Sequence, residues 1–430
     1  MRARSLAVAL QDRQRPGIVH RFFSALGPGL ITGAADDDPS GVATYSIAGA
    51  QMGTALLWTA FVTWPLMGAV QFMCARIGMA TGKGLADALG RRTPRWLLFS
   101  GAFALLTANT MNVGADLSGM ADAAAMLTGI NSHIYVVIFG AGIAFAVLRF
   151  RYHQLAAMLK WLSAVLFAYI IAAFVSGPDW HAVLHDTFLP SWPKGHAAWQ
   201  NLVAVLGTTI SPYLFFWQTS QEVEEEKAMG RRMLVDRRHP TADKILDRKL
   251  DVTAGTFFSN LVMYFIILTT ALTLHAHGVK DIESSKQAAE ALRPLAGGFA
   301  ATLYTVGIIG VGMLAIPTLT ASAAYAFAET FKWMQGLNES FRGATCFYAV
   351  LLFSTLVGIA MNFVGVNPIK ALFWSAVING LLAPFLLVGI LLVASDREIM
   401  RGEPSSRLSR VVVGLTAVAM FGAAIAMFIF

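Results

Sequence analysis

Long apolar runs alternate with short charged stretches along the whole chain of 430 residues. Most of these runs are roughly 20 residues or longer, the length that an α-helix needs to cross about 30 Å of hydrocarbon. The pattern therefore predicts an all-α integral membrane protein with eleven spanning helices. The predicted spans are residues 25–52, 54–81, 96–127, 133–150, 154–176, 198–220, 250–275, 295–328, 344–364, 368–394 and 409–430.

The composition narrows the class of protein further. Hydrophobic residues make up 56% of the chain, charged residues 13%, and the mean hydropathy is +0.60. Soluble domains are about half apolar and a quarter charged, so soluble enzymes and nucleic-acid-binding domains are excluded. The two cysteines, Cys74 and Cys346, lie inside apolar runs and imply no disulfide framework. The partner that the composition implies is the lipid bilayer.

The distribution of Lys and Arg predicts the orientation in the membrane. With the N-terminus inside, the cytoplasmic segments carry 25 of these residues and the opposite loops carry five. Cytoplasmic loops of membrane proteins are enriched in Lys and Arg. We therefore expect a multi-pass protein of the cell membrane with a cytoplasmic N-terminal tail (1–24) and an extracytoplasmic C-terminus. The net charge of +7 is then mainly a topology signal.

One long polar stretch, residues 221–251, separates the sixth and seventh predicted spans. It opens with a cluster of glutamates and closes with a basic run. We interpret it as a solvated cytoplasmic loop; a regulatory or metal-sensing segment is the alternative.

Three consecutive carboxylates lie near the middle of the first predicted span: Asp36, Asp37 and Asp38. Each would cost about 2.5–3.5 kcal/mol near a helix centre facing lipid, so they must face a wet, protein-lined cavity. Pro39 removes a backbone donor and Gly41 weakens the helix. The helix should therefore be unwound around Asp38.

The sixth predicted span repeats this pattern in the segment Gly207–Tyr213. Pro212 lies near the middle of the span and follows three hydroxyl side chains: Thr208, Thr209 and Ser211. Unwinding there would free the carbonyl oxygens of Thr208 and Thr209, which suit a cation.

Interruptions five spans apart indicate two five-helix repeats. Because five is odd, the second repeat begins on the opposite side of the membrane and is inverted, and a substrate site is expected at the midplane between them. The predicted organisation is a first repeat (25–176), an extracytoplasmic loop (177–197), a second repeat (198–394) with a cytoplasmic loop (221–249), and a final loop and helix (395–430).

These segments resemble the signatures of the natural resistance-associated macrophage protein (NRAMP) family. Gly27-Pro28-Gly29 and Asp38-Pro39-Ser40-Gly41 are similar to its Gly-Pro-Gly and Asp-Pro-Gly-Asn motifs, and Gly207–Tyr213 is similar to its Gly-Ala-Thr-Val-Met-Pro-His. The resemblance implies a LeuT-type fold with broken helices 1 and 6. It also implies proton-driven transport of a divalent transition metal held by Asp and Asn of helix 1 and by Met and an Ala carbonyl of helix 6.

The chain departs from that ligand set at particular positions. Asp38 matches the family Asp. Gly41 stands at the position of the family Asn, Ser211 at that of the Met, and Thr208 at that of the Ala. Loss of the soft thioether favours hard cations, as in the NRAMP-related magnesium transporters, which this chain partly resembles. We expect a divalent cation such as Mg²⁺ or Mn²⁺ as substrate, with no cofactor. The candidate binding residues are Asp38, Asp37, Asp36, Gly41, Thr208, Thr209 and Ser211.

The proton route of the family is also altered. Asp116 is kept, but Gly119, Cys346 and Tyr213 stand where the resemblance places Glu, Arg and His. A relay needs titratable groups in sequence, so we expect weak or absent proton coupling. The candidates for a cavity or an altered proton path are Asp116, Asn112, Tyr213 and Asn379.

Two classes of substrate stay open at this point. The Asp cluster and the resemblance favour a divalent metal carried by alternating access, whereas the missing ligands favour a small organic cation or amino acid on the same scaffold. An enzyme is not expected, because the spans contain no paired nucleophile and base. The chain also has no Gly-x-x-x-x-Gly-Lys-Ser/Thr loop for ATP.

Overall fold

The computed structural model describes residues 32–33, 35–150, 164–230 and 241–430. These residues form α-helices and short 3-10 turns and no β-strand, as the hydropathy pattern predicts. The α-helices after residue 38 are α1 (Pro39–Met52), α2 (Trp58–Thr81), α3 (Leu85–Leu89), α4 (Arg95–Thr128), α5 (Ser132–Arg149), α6 (Ala168–Val175), α7 (Trp180–Phe188), α8 (His196–Thr209), α9 (Pro212–Ala228), α10 (Ala242–Thr273), α11 (Ser285–Glu290), α12 (Arg293–Ala296), α13 (Ala300–Phe331), α14 (Thr345–Met361), α15 (Pro368–Ser395) and α16 (Arg407–Ile429).

Seven helices of the described residues are long and apolar enough to cross a membrane: α2, α4, α5, α10, α13, α15 and α16. The other four predicted spans fall short for identifiable reasons. The first begins before the described residues, and the first part of the fifth, residues 154–163, lies outside them. The sixth is divided between α8 and α9, and the ninth corresponds to α14, which has 17 residues. The total of eleven spans stays a prediction.

Short-range signals in the sequence account for several helix ends. Pro39, Pro212 and Pro368 each occupy the first turn of a helix, where the missing N–H costs nothing. Gly82 and Gly129 follow α2 and α4 with φ of 65° and 71°, a left-handed conformation that favours glycine. These signals act within one turn, so the sequence alone locates them.

Close helix crossings bring distant segments together. α13 packs along α4, α10 packs against α1, and α8 packs against α15. The α8–α15 crossing is tight because Gly207 faces Gly380: a Cβ built on Gly207 would lie 2.2 Å from the carbonyl oxygen of Ala376. Since α1 also contacts α4, α8 and α15, the start of α1 lies inside the bundle.

The interpretation of residues 221–251 as a solvated loop is wrong for both of its flanks. α9 continues to Ala228 and α10 begins at Ala242, while 231–240 lies outside the described residues. Glu222 and Arg248 are buried and form an ion pair, and Arg248 Nη1 donates to Asp251 Oδ2 at 2.7 Å. Opposite charges on α9 and α10 compensate one another, so the glutamates pack between helices.

A second polar cluster ties α3 to the end of α13. Glu329 of α13 accepts the backbone N–H of Ala86 at 2.8 Å. Asp87 pairs with Lys83 at 2.7 Å and also with Lys332. Partial burial raises the pKa of Asp87, but the hydrogen bonds from the two lysines outweigh it and hold the pKa below its usual value. These contacts fix α3 at one end of the bundle.

Candidate cation site

Asp38 lies at the point where the chain enters α1. Its backbone is extended, with φ −68° and ψ 171°, and its side chain caps the helix by accepting the N–H of Gly41 at 2.6 Å. The residue is 2% exposed. A carboxylate is therefore held deep in an apolar bundle at a non-helical position.

Two other helices contribute to the surroundings of the second oxygen of Asp38, α4 by direct contact and α15 through α4. Asn112 of α4 donates from Nδ2 to Asp38 Oδ2 at 2.9 Å. Ser375 of α15 donates to Asn112 Oδ1 at 2.6 Å and lies 2.9 Å from the hydroxyl of Ser40. Ser40 in turn donates to the carbonyl of Leu372 at 2.8 Å. α1, α4 and α15 thus meet in one buried network.

Asp116 brings a second carboxylate to this network. Its Oδ1 accepts the backbone N–H of Ser40 at 3.2 Å. Its Oδ2 is buried and accepts no hydrogen bond from the described part of the chain. Asp38 and Asp116 therefore approach the same stretch of α1, with one carboxylate oxygen left without a partner.

The other two carboxylates of the triplet have a different partner. Ser259 of α10 lies 2.6 Å from Asp36 Oδ2 and 3.2 Å from Asp37 Oδ1. Across the described residues, no three His, Cys, Asp or Glu side chains converge as a metal-binding group. The triplet is thus divided between α10 and the network around Asp38.

The segment between α8 and α9 differs from expectation in one respect. α8 ends at Thr209 and α9 begins at Pro212. Ser211 Oγ lies within hydrogen-bonding distance of the carbonyls of Thr208, at 2.6 Å, and Gly207, at 2.9 Å. The Thr208 carbonyl, which the sequence predicts to be free for a cation, thus has a partner in its own segment, because the serine hydroxyl folds back onto the end of its own helix.

Other predicted residues lie at the edges of this site. A Cβ built on Gly41 would lie 3.2 Å from Thr208 Oγ1, so the start of α1 faces the end of α8. Tyr213 donates from its hydroxyl to the carbonyl of Ala35 at 2.9 Å. Asn379 of α15 is buried, and its Oδ1 has no partner within the described ranges.

The structure therefore joins Asp38, Asn112 and Asp116, which the sequence analysis singled out separately. It adds Ser375, which the sequence pattern does not single out. The available signal was its position four residues before Asn379, which places both side chains on one face of α15.

Residues 29–430 match the family model described as natural resistance-associated macrophage protein-like. The chain belongs to the NRAMP family. Among curated NRAMP relatives, it is 25% identical over 433 residues to the divalent metal cation transporter MntH of Caldanaerobacter subterraneus, covering 97% of this chain and 96% of the relative. It is 26% identical to MntH of Deinococcus radiodurans, covering 94% and 89%.

Solved structures show the same fold as this NRAMP protein. The manganese transporter of Eremococcus coleocola matches with a TM-score of 0.77 at 20% identity, over 96% of this chain and 87% of that one. Mhp1, a nucleobase-cation-symport-1 family transporter in a closed conformation, matches with a TM-score of 0.57 at 14% identity, over 94% and 90%. The fold is therefore LeuT-like, in a multi-pass membrane protein of a transporter family.

Proposed function

We propose that this NRAMP protein is a secondary transporter that moves a hard divalent cation, Mg²⁺ or Mn²⁺, by alternating access, with Asp38 binding the ion. The observation that carries the proposal is the burial of Asp38 at a non-helical position between helices. An ionisable group inside a membrane protein is costly and typically marks an ion pathway. The cation offsets that cost.

The names of the relatives favour a metal over an organic substrate, since both curated relatives are divalent metal cation transporters. The chemistry around Asp38 favours a hard metal. Its neighbours present carboxylate, amide and hydroxyl groups, and Ser211 occupies the position of the family Met. Oxygen ligands suit Mg²⁺ and Mn²⁺, whereas thioethers favour softer ions.

The proposed architecture is eleven spans in two inverted five-helix repeats, with helices 1 and 6 broken at Asp38 and at Ser211 and with a cytoplasmic N-terminus. In this arrangement the two breaks are the places where the repeats meet. The predicted site residues are all buried.

Flux measurements in proteoliposomes test the proposal. Purified protein is reconstituted and supplied with Mn²⁺, Mg²⁺, Ca²⁺ or small amines in parallel. We expect uptake of Mn²⁺ or Mg²⁺ that Asp38→Asn abolishes. The matched control is Asp122→Asn, which alters a carboxylate of α4 that accepts the N–H of Ser285, outside the site. Uptake of amines alone, or divalent uptake equal in Asp38→Asn and wild type, would overturn the proposal.

A further inference from the structure

This inference rests on the proposed function and assigns the residues that complete the site. We propose that Asn112 of α4 is a direct oxygen ligand of the transported cation, oriented by Ser375 of α15, and that Asp116 supplies the second carboxylate. The cation then lies among α1, α4 and α15. Thr208, Thr209 and Ser211 of the α8–α9 segment, which the sequence favours as ligands, contribute less to cation binding.

Asn112 and Asp38 are directly connected. The Asn112 amide lies directly against the carboxylate, with Nδ2 at 2.9 Å from Asp38 Oδ2. A primary amide carries a donor and an acceptor at almost the same distance from its Cγ. Without a cation, the N–H groups of Asn112 face the Asp38 carboxylate. Rotation of the amide by 180° would turn Oδ1 toward a cation bound to Asp38.

Ser375 allows both orientations of that amide. Its hydroxyl lies 2.6 Å from Asn112 Oδ1 and 2.8 Å from the carbonyl of Leu372. A hydroxyl donates one hydrogen bond and accepts others. After rotation, Ser375 can accept from Asn112 Nδ2 and donate to Leu372, so the amide keeps a partner in both states. The exchange thus leaves no buried polar group of Asn112 unsatisfied.

The charge of the bound cation must also be balanced. A divalent ion in a buried site requires about two compensating negative charges. Asp38 supplies one, and Asp116, which accepts the N–H of Ser40 only two residues after Asp38, supplies the other. The free oxygen of Asp116 is fully buried and has no hydrogen-bond partner among the described residues, which is costly unless a ligand occupies it.

On the opposite side of the site, the hydroxyls of Ser211 and Thr209 have hydrogen-bond partners within their own segment. Ser211 folds back onto the carbonyls of Gly207 and Thr208, so it satisfies the end of α8. Thr209 donates to the carbonyl of Val205 at 2.7 Å. These hydroxyls have partners within their own segment, whereas Asp116 has an oxygen without one. The geometry therefore places the hard ligands at Asp38 and on α4, and α15 supports them through Ser375.

Binding of Mn²⁺ to the purified full-length protein, measured by isothermal titration calorimetry in detergent, tests the assignment. Loss of a partner that orients a ligand typically costs about 10–100-fold in metal affinity, and loss of the ligand should cost at least as much. We therefore expect Ser375→Ala to weaken binding by about 10-fold and Asn112→Ala by about 100-fold. The matched control is Ser354→Ala, which removes a buried hydroxyl pair between Thr110 of α4 and α14. It should bind Mn²⁺ as wild type does.

Asn112→Asp separates a ligand from a hydrogen-bond donor. An aspartate keeps an oxygen for the cation but cannot donate to Asp38. If Asn112 is a ligand, this variant binds Mn²⁺ within about threefold of wild type or more tightly. Ser375→Ala should then have less effect in the Asn112→Asp background, because the two oxygens of a carboxylate are equivalent and need no orienting partner.

Loss of Mn²⁺ binding in Asn112→Asp, with a monodisperse gel-filtration profile and an unchanged melting temperature, would overturn the assignment and leave Asn112 as a donor to Asp38. Wild-type binding in Asn112→Ala would overturn it as well. In both cases wild-type protein still binds and transports Mn²⁺, so the proposed function stands. Absence of Mn²⁺ and Mg²⁺ binding by the wild type would instead refute the proposed function.

Discussion

The crossing of α8 and α15 next to the candidate site predicts that Gly207→Ala destabilises the protein. A Cβ at this position would lie 2.2 Å from both the carbonyl oxygen of Ala376 and the backbone nitrogen of Gly380. Both atoms belong to the backbone of α15 and cannot rotate away. Ordinary contact begins near 3.4 Å, so the two helices would have to separate by about 1 Å at the crossing.

The size of the effect follows from two opposing terms. Overpacking of a close interface costs about 1–3 kcal/mol, and sometimes more. Alanine is better than glycine in a helix by about 1 kcal/mol, which offsets part of that cost. We therefore expect a net loss of about 1 kcal/mol, and up to about 2 kcal/mol if the two backbones cannot separate. Transport should also fall, because Gly207 accepts a hydrogen bond from Ser211 and precedes Thr208, which faces Gly41.

Thermal unfolding of the purified protein in detergent, followed by tryptophan fluorescence, measures the change. The control is Gly142→Ala in α5, where a Cβ would meet no atom within 4 Å. This variant should be as stable as wild type, or up to about 1 kcal/mol more stable, because only the helix preference changes. The reasoning is refuted if Gly207→Ala unfolds at the wild-type temperature and transports at the wild-type rate.

Three further predictions follow from the same structure. Ser211→Met adds a thioether and removes the hydroxyl from the α8 carbonyls, so Cd²⁺ uptake should rise relative to Mg²⁺; avid Cd²⁺ uptake by the wild type, unchanged in the variant, would refute this. Transport should proceed with weak or no proton coupling, so a pH dye inside liposomes should show no substrate-dependent acidification. Acidification by the wild type would refute this, and a relay through Asp116 would be shown only if Asp116→Asn keeps cation uptake while losing the acidification. Arg248→Met removes the cation that pairs with both Glu222 and Asp251 and should cost about 3–5 kcal/mol in thermal unfolding, whereas Arg248→Lys should cost less. Equal stability of the two variants would refute a role for the charge.

The chain's hydropathy determines much of the fold directly. The lengths of the apolar runs are local properties of the sequence, and so are the helix ends that proline and glycine mark. Together they predict an all-helical membrane protein. The same local chemistry locates Pro212 at the start of α9 and Asp38 immediately before α1. The motifs around these two residues also predict the NRAMP family, which the family model confirms over residues 29–430.

The partners of each polar side chain are decided only by the tertiary structure. Hydropathy assigns the polar stretch 221–251 to solvent, because it cannot show that Arg248 meets Glu222 across two helices. Sequence adjacency groups Asp36 and Asp37 with Asp38, but the turn of the backbone directs the first two to Ser259 of α10.

The contacts of Asp38 illustrate the same limit. It meets Asn112 at a sequence separation of 74 residues, and Asn112 meets Ser375 at a separation of 263. Such contacts depend on the rotation and crossing angle of whole helices, which the packing of many small residues determines together. A sequence read one segment at a time therefore identifies the carboxylate at the centre of the site, and only the packed bundle shows which side chains surround it.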